Sequence, residues 1–310
     1  MTDMPVPVGG AATAAAADTA YQADLIAVLV AVRDGMPQVL TLDGTGALPS
    51  GPLEPEHRSL QSGMRSWVER TTRHPLRHVE QLYTFADRDR TEDTRRSISI
   101  SYLALTRLIP DETGWRSWYR YFPWEDQRGE TGRRAAQRLV AELQAWAAQE
   151  PLSVSQERQQ RLRINFDLHG WDDELVLQRY ELLYEAGLVA EAGSGAGSGG
   201  GQPMPRDHRR ILATGIARLR AKIKYRPVFF ELLPDSFTML QLQLTVEALS
   251  GIRLHKPNFR RLIGQQALVE ETGAVSAAGP GRPAKLFRFR GEIVQARQVA
   301  GSKLPLMKAV

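Results

Sequence analysis

The sequence of 310 residues contains no cysteine, which excludes disulfides, thiolate nucleophiles and cysteine-ligated zinc or iron–sulfur centres. It also lacks long hydrophobic runs. The longest near the N-terminus, Leu25–Val32, falls far short of the ~20 apolar residues that span a bilayer. No Lys or Arg precedes the alanine-rich stretch Ala11–Ala17, so that stretch does not read as a signal peptide. These absences predict a soluble cytoplasmic protein with no membrane partner. Hydrophobic residues at 42% and charged residues at 24% are ordinary for a globular chain, and the length suits about two domains.

Lysine is missing from most of the chain: all six (Lys222, Lys224, Lys256, Lys285, Lys303, Lys308) lie in the last third. Residues 206–310 carry 19 Lys+Arg against 7 Asp+Glu, a net of +12, which leaves the first 205 residues at −7. A basic module joined to an acidic one points to a polyanion-binding unit beside a unit with another task. The charge break coincides with the stretch GSGAGSGGGQPMP, a flexible linker by composition. The expected organisation is therefore a disordered lead (1–20), a first domain (21–191), a linker (192–205) and a basic domain (206–310).

In the first domain, Asp24–Arg33 and Gln38–Asp43 read as a strand hairpin around Gly-Met-Pro. A loop containing Leu48-Pro49-Ser50-Gly51 leads to a helix over 59–72, whose Leu60, Met64, Trp67 and Val68 share one face. Val79–Ala86 and Arg96–Leu105 read as strands, Glu130–Gln149 as a helix, and Arg161–Leu168 as a strand by strict alternation. A last helix over 172–186 has Asp172 or Asp173 as its N-cap. In the insertion Trp115–Trp124, six of ten residues are aromatic. Such density suits local core or a dimer contact better than a stacking platform for a base.

This order, with its Leu-Pro-x-Gly loop and the segments Ser59-Leu60, EQLYTF and ISISYLAL, resembles the Nudix fold over about Tyr21–Val189. The resemblance implies an α/β/α sandwich that hydrolyses nucleoside diphosphate derivatives, using metal held by glutamates in the helix box R-E-apolar-x-E-E-x-G. Here that box reads Ser66-Trp67-Val68-Glu69-Arg70-Thr71-Thr72-Arg73. One carboxylate flanked by arginines cannot hold a hard dication against water, and Glu69 reads instead as a partner for Arg65 or Arg73. The expectation is no metal, no catalytic residue and no enzymatic activity. What remains is a cleft that binds a nucleotide, for which Tyr83, Phe85, Asp87, Arg88, Arg90, Arg96 and Arg70 are the candidate contacts: aromatics for a base, guanidinium groups for phosphates.

The basic domain reads as helix, capped helix, turn, basic helix and basic hairpin. Ser236 or Thr238 caps 237–250, and Pro257 opens the next helix, which buries Phe259, Leu262 and Ile263. The opposite face presents Lys256, Asn258, Arg260, Arg261 and Gln265, side chains that reach phosphates and base edges. The hairpin carries Arg282 and Lys285 beside that helix, which describes a winged helix-turn-helix.

The series FELLP, FTMLQLQLTVEALSG, NFRR, LVEETG and GRPAKLFRF resembles the C-terminal winged helix of the Nudix-related regulators of NAD metabolism known as NrtR. The length, the aromatic insertion and the helix before the linker look more like the NadQ branch. The fold class implied is α+β, a Nudix-like sandwich joined to a winged helix-turn-helix domain. The resemblance implies a homodimeric repressor of NAD biosynthesis genes on palindromic double-stranded operator DNA. It needs no cofactor and is released by an effector nucleotide, ATP or an ADP-ribose or NAD-type ligand. An active Nudix pyrophosphatase carrying a DNA-binding module, or an architectural DNA binder without ligand, are the competing expectations.

Overall fold

The computed structural model describes residues 22–42, 45–54, 59–72, 76, 78–86, 97–108, 112–149, 151–193, 200–276 and 283–291; the lead 1–20 lies outside them. Strand β1 (Gln22–Arg33) turns through Asp34 and Gly35, both at positive φ (50° and 67°), into β2 (Met36–Leu40). Two left-handed residues give the turn whose twist matches that of the flanking strands. β1 pairs antiparallel with β2 and with β3 (Ser50–Pro52), and parallel with β5 (Ser97–Leu105). β4 (His78–Phe85) and β6 (Trp115–Ser117) form the edges, in the order β4-β5-β1-β2-β6.

Both faces of β1 are covered, which explains its uninterrupted apolar sequence. Leu25, Ala27, Leu29 and Ala31 face Met64 and Val68 of α1 (Leu60–Thr72). Ile26, Val28 and Val30 face α5 (His208–Ile223), which contributes Ile211, Leu212, Ile216 and Leu219. A Cβ at Gly215 would lie 3.0 Å from a Val28 methyl, so the absence of a side chain lets α5 lie directly on the sheet. The α/β/α sandwich is thus as expected. Its second covering helix, though, is the one that charge had assigned to the basic domain.

Three more helices stand beside the sandwich: α2 (Glu130–Ala147), α3 (Leu152–Asn165) and α4 (Val176–Glu185). α3 corrects the strand expected over 161–168. The alternation there is real, but Ile164 is 58% exposed and Leu168 40%, while Leu162, Asn165 and Phe166 are buried. Helical spacing continued from the helix-forming run before it overrides the period of two. α4 also starts later than expected. Asp172 accepts from the Glu174 amide at 2.9 Å in the turn before the helix, and Leu175 holds the cap position. The aromatics of 115–124 are all buried, with Trp118, Phe122 and Trp124 fully so; they are core. Within the expected linker, 194–199 lie outside the described residues, but its far end is fastened. Met204 is buried, its amide donates to Glu191 at 3.0 Å, and the Gln202 amide donates to the Arg120 carbonyl at 2.9 Å.

Candidate nucleic-acid interface and sensor cleft

The second sheet has the order β7-β9-β8, formed by β7 (Phe237–Thr238), β8 (Val269–Ser276) and β9 (Ala284–Phe289). Thr238 caps α6 (Met239–Ser250) in a reciprocal box: its hydroxyl accepts from the Gln241 amide at 3.1 Å, and the Gln241 side chain accepts from the Thr238 amide at 2.8 Å. Gly251, at φ 75°, stops α6. A short turn leads to α7 (Lys256–Gln265), with Pro257 in its first turn.

Phe259 and Ile263 anchor α7 in the core and Leu262 is half-buried, while Lys256, Asn258, Arg260, Arg261 and Gln265 are all exposed. Lys256, Arg260 and Arg261 make no ion pair among the described residues. The wing carries ion pairs of its own. Lys285 is bridged to both oxygens of Glu271 at 2.9 Å, and Glu270 engages Arg288 and Arg290. Three described cations of the hairpin thus share two carboxylates, while the arginines of α7 have no ionic partner among the described residues; Arg282 lies outside the described residues. A groove of about 810 Å³ separates the start of α6 and α7 from the wing, with Arg260 at its edge and Met239, Ile263 and Phe287 in its lining.

In the first domain, the Leu-Pro-x-Gly segment runs alongside β1 and into β3. The Leu48 amide donates to His208 Nδ1 at 2.9 Å, and the Ala27 amide to the Pro49 carbonyl at 2.8 Å. Burial, and then the Arg206 charge, lower the His208 pKa to about 4, so its ring is neutral and Nδ1 is free to accept. Trp67 lies against Gly51 so closely that a Cβ there would sit 2.4 Å from the indole nitrogen.

Glu69 pairs with Arg65 at 3.3 Å, as expected, and the two also hold Leu76. Arg65 donates to the Leu76 carbonyl at 2.6 Å, and the Leu76 amide to Glu69 at 3.4 Å. One oxygen of the box's lone carboxylate, Oε1, is therefore engaged by the chain itself, and the neighbouring box positions offer Ser66, Trp67, Arg70 and Thr71. These residues do not suit a divalent metal. Among the described residues, the one acidic trio within ligating distance is Asp172, Asp173 and Glu174, where the Lys224 ammonium lies 2.7 Å from two of the carboxylates.

Of the candidate nucleotide contacts, Tyr83 is 61% exposed and Arg70 is exposed. Phe85 is buried, its ring edge against Tyr83 at 5.1 Å and its face under the Arg210 guanidinium at 4.9 Å, so packing already uses it. Asp87, Arg88, Arg90 and Arg96 lie outside the described residues.

A buried ionic cluster, to which no sequence motif points, lies between the two halves. Glu125, fully buried, accepts from Arg179 of α4 at 2.6 and 3.0 Å and from Arg220 of α5 at 2.6 Å. Burial pushes its carboxyl up, and the two guanidiniums more than reverse this, holding it below the ordinary carboxylate range. A third buried arginine, Arg209, bonds Glu191 and the carbonyls of Tyr121 and Gly200, ringed by Phe122, Trp124 and Tyr180. Phe122 and Trp124 of the aromatic insertion thus form part of the wall around Arg209.

With this geometry in place, residues 229–289 match the family described as the NrtR DNA-binding winged helix domain. The match covers the winged helix and no more of the chain. A curated relative from Acinetobacter baylyi, "ADPR responsive transcriptional repressor NtrR", is 40% identical over 83 residues, 27% of this chain and 33% of the relative. That alignment spans about a third of the relative's length. Shewanella oneidensis NrtR, solved in complex with a 27mer DNA, shares the fold at 21% identity and a TM-score of 0.52, over 88% of this chain and 95% of that one. A MutT/nudix family protein from Enterococcus faecalis shares it at 15% identity and a TM-score of 0.51, over 87% of this chain and 88% of that one. The architecture is therefore a Nudix-type sandwich with an NrtR-type winged helix.

Proposed function

We propose that this protein is a DNA-binding transcriptional repressor whose Nudix-like domain senses an adenine nucleotide without hydrolysing it, and whose targets are NAD biosynthesis genes. The observation that carries the reading is α7: an anchored helix with Asn258, Arg260 and Arg261 exposed and its two arginines without an ion pair among the described residues, inside the segment that matches the NrtR winged-helix family. A helix of this kind enters the major groove, where Arg reads guanine and Asn reads adenine. Two chains on a palindrome would place two such helices on successive half-sites. The lone Glu69, held by Arg65 and the Leu76 amide, supports binding rather than hydrolysis in the cleft.

ADP-ribose is the first effector to test, because the 40%-identical relative is named for it; ATP is the second, from the resemblance to the NadQ branch. The experiment is fluorescence polarisation on duplex DNA selected by the protein from a random pool. Each nucleotide is titrated with magnesium present and its integrity checked by chromatography. Sequence-specific binding relieved by an intact nucleotide is expected. Nucleotide breakdown that is lost on Glu69→Gln would replace the sensor by a pyrophosphatase. Absence of specific DNA binding would remove the reading altogether.

A further inference from the structure

A sensor of this kind needs a physical link between the cleft and the recognition helix, since a ligand shifts DNA affinity only through elements that both sites bias. One element, α5, reaches from the Leu48 segment of the first domain to the end of α6, which the next turn joins to α7. α5 is sixteen residues long, about 24 Å at 1.5 Å per residue. At its first residue, His208 holds the Leu48 amide in the loop beside Gly51 and the α1 box. In its middle, Gly215 rests on Val28 without a side chain between them.

Near its last turn, the Arg220 Nε donates to the Leu249 carbonyl at 2.9 Å, at the end of α6. Tyr119 donates to the adjoining Ala248 carbonyl at 2.8 Å. Gly251 fits that junction with no slack: a Cβ there would lie 2.3 Å from the Glu125 carbonyl and 2.7 Å from Arg220. The grip continues to the recognition helix, because Glu247 of α6 accepts from the Leu254 amide at 3.1 Å in the turn that precedes α7.

We propose that α5 is the coupling rod of the molecule: His208 takes up the position of the Leu48–Gly51 loop, and Arg220 with Tyr119 delivers it to the end of α6, and so to α7. The inference rests on the sensor reading above. His208 and Tyr119 are then positioning residues that touch neither nucleotide nor DNA. Their signature is the coupling factor, the ratio of DNA dissociation constants with and without saturating nucleotide, rather than either affinity alone.

The test measures that factor for the full chain with ADP-ribose and with ATP on the selected duplex. Wild type is expected to show a factor in the usual allosteric range of ~5–150. His208→Phe removes the acceptor, and Tyr119→Phe removes one hydroxyl with little risk to folding. Both should bind the duplex and lower the factor to under ~2, whereas His208→Asn, which keeps an acceptor near the Nδ1 position, should restore most of it. A folded His208→Phe or Tyr119→Phe protein that keeps the wild-type factor overturns the rod and leaves the sensor intact. A wild-type protein that binds the duplex but responds to neither nucleotide overturns the sensor and the rod together.

Discussion

Arg260 and Lys285 sit on opposite sides of one groove and carry the same charge, yet their surroundings assign them different weights. Arg260 and its neighbour Arg261 have no ionic partner among the described residues, while Lys285 is already held by both oxygens of Glu271. Moving Lys285 onto a phosphate means breaking that pair, so the net gain from DNA is small, as for exposed ion pairs generally. Arg260→Ala or Arg261→Ala should therefore weaken specific binding by ~1–3 kcal/mol if the residue reads a base edge, and relax preference at one position of each half-site. Lys285→Ala should change affinity by under ~1 kcal/mol. Polarisation titrations on the selected duplex and on a scrambled one check both. A loss at Lys285 that exceeds the loss at both arginines would move the reader from the helix to the wing.

At the scale of elements, β1 is legible as an unbroken apolar run, and α1 and α7 as helices whose apolar residues share one face, whereas the three-residue strands β3 and β6 are too short to carry a pattern. Phe259 and Ile263 at i and i+4 left the basic face of α7 no choice but solvent. Two elements were misjudged for reasons that can be named. In 161–168, alternation competed with helical spacing, and the burial of Leu162 with Asn165 and Phe166 decided for the helix. α5 was assigned by its charge, although Arg209 and Arg220 fall on the same stripe as Leu212, Ile216 and Ile223 and are fully buried there. Arginine on an apolar stripe was the available signal that the helix lies inside the molecule against acceptors.

The cap of α6 was read correctly down to Thr238, one of two expected alternatives, and it carries a consequence for the reader. Thr238→Ala removes one half of the capping box and should lower stability by ~1 kcal/mol. Because Met239 and Leu240 of that first turn line the groove beside Arg260, DNA affinity should fall with it. Chemical denaturation followed by titration of the duplex measures both, and loss of stability without loss of affinity would separate the cap from the reader.

For the molecule as a whole, one apolar core runs from Ile26 and Val28 in the sheet through α5 to Phe259 and Ile263 of the recognition helix. The division suggested by charge and by the glycine-rich stretch is therefore not a division of packing, and the two parts should unfold together. The acid limit of that unfolding is set in part by His208. Its folded pKa, about 4, lies below the ordinary 6.5, with burial as the main cause and Arg206 as the second. Between those values the unfolded chain binds a proton that the folded one excludes, so stability is full above pH 6.5 and falls as pH drops toward 4. The shift corresponds to roughly 3 kcal/mol across that window. His78, also lowered by burial and by Lys222, adds a loss of the same sign, and the difference between wild type and His208→Asn isolates the first residue. Asparagine keeps the acceptor for the Leu48 amide and has no charge to gain. Its stability should fall less steeply than that of wild type from pH 6.5 to 4, and urea unfolding at half-unit steps follows the two curves. Parallel curves would mean that the His208 ring reaches solvent and takes up its proton without unfolding.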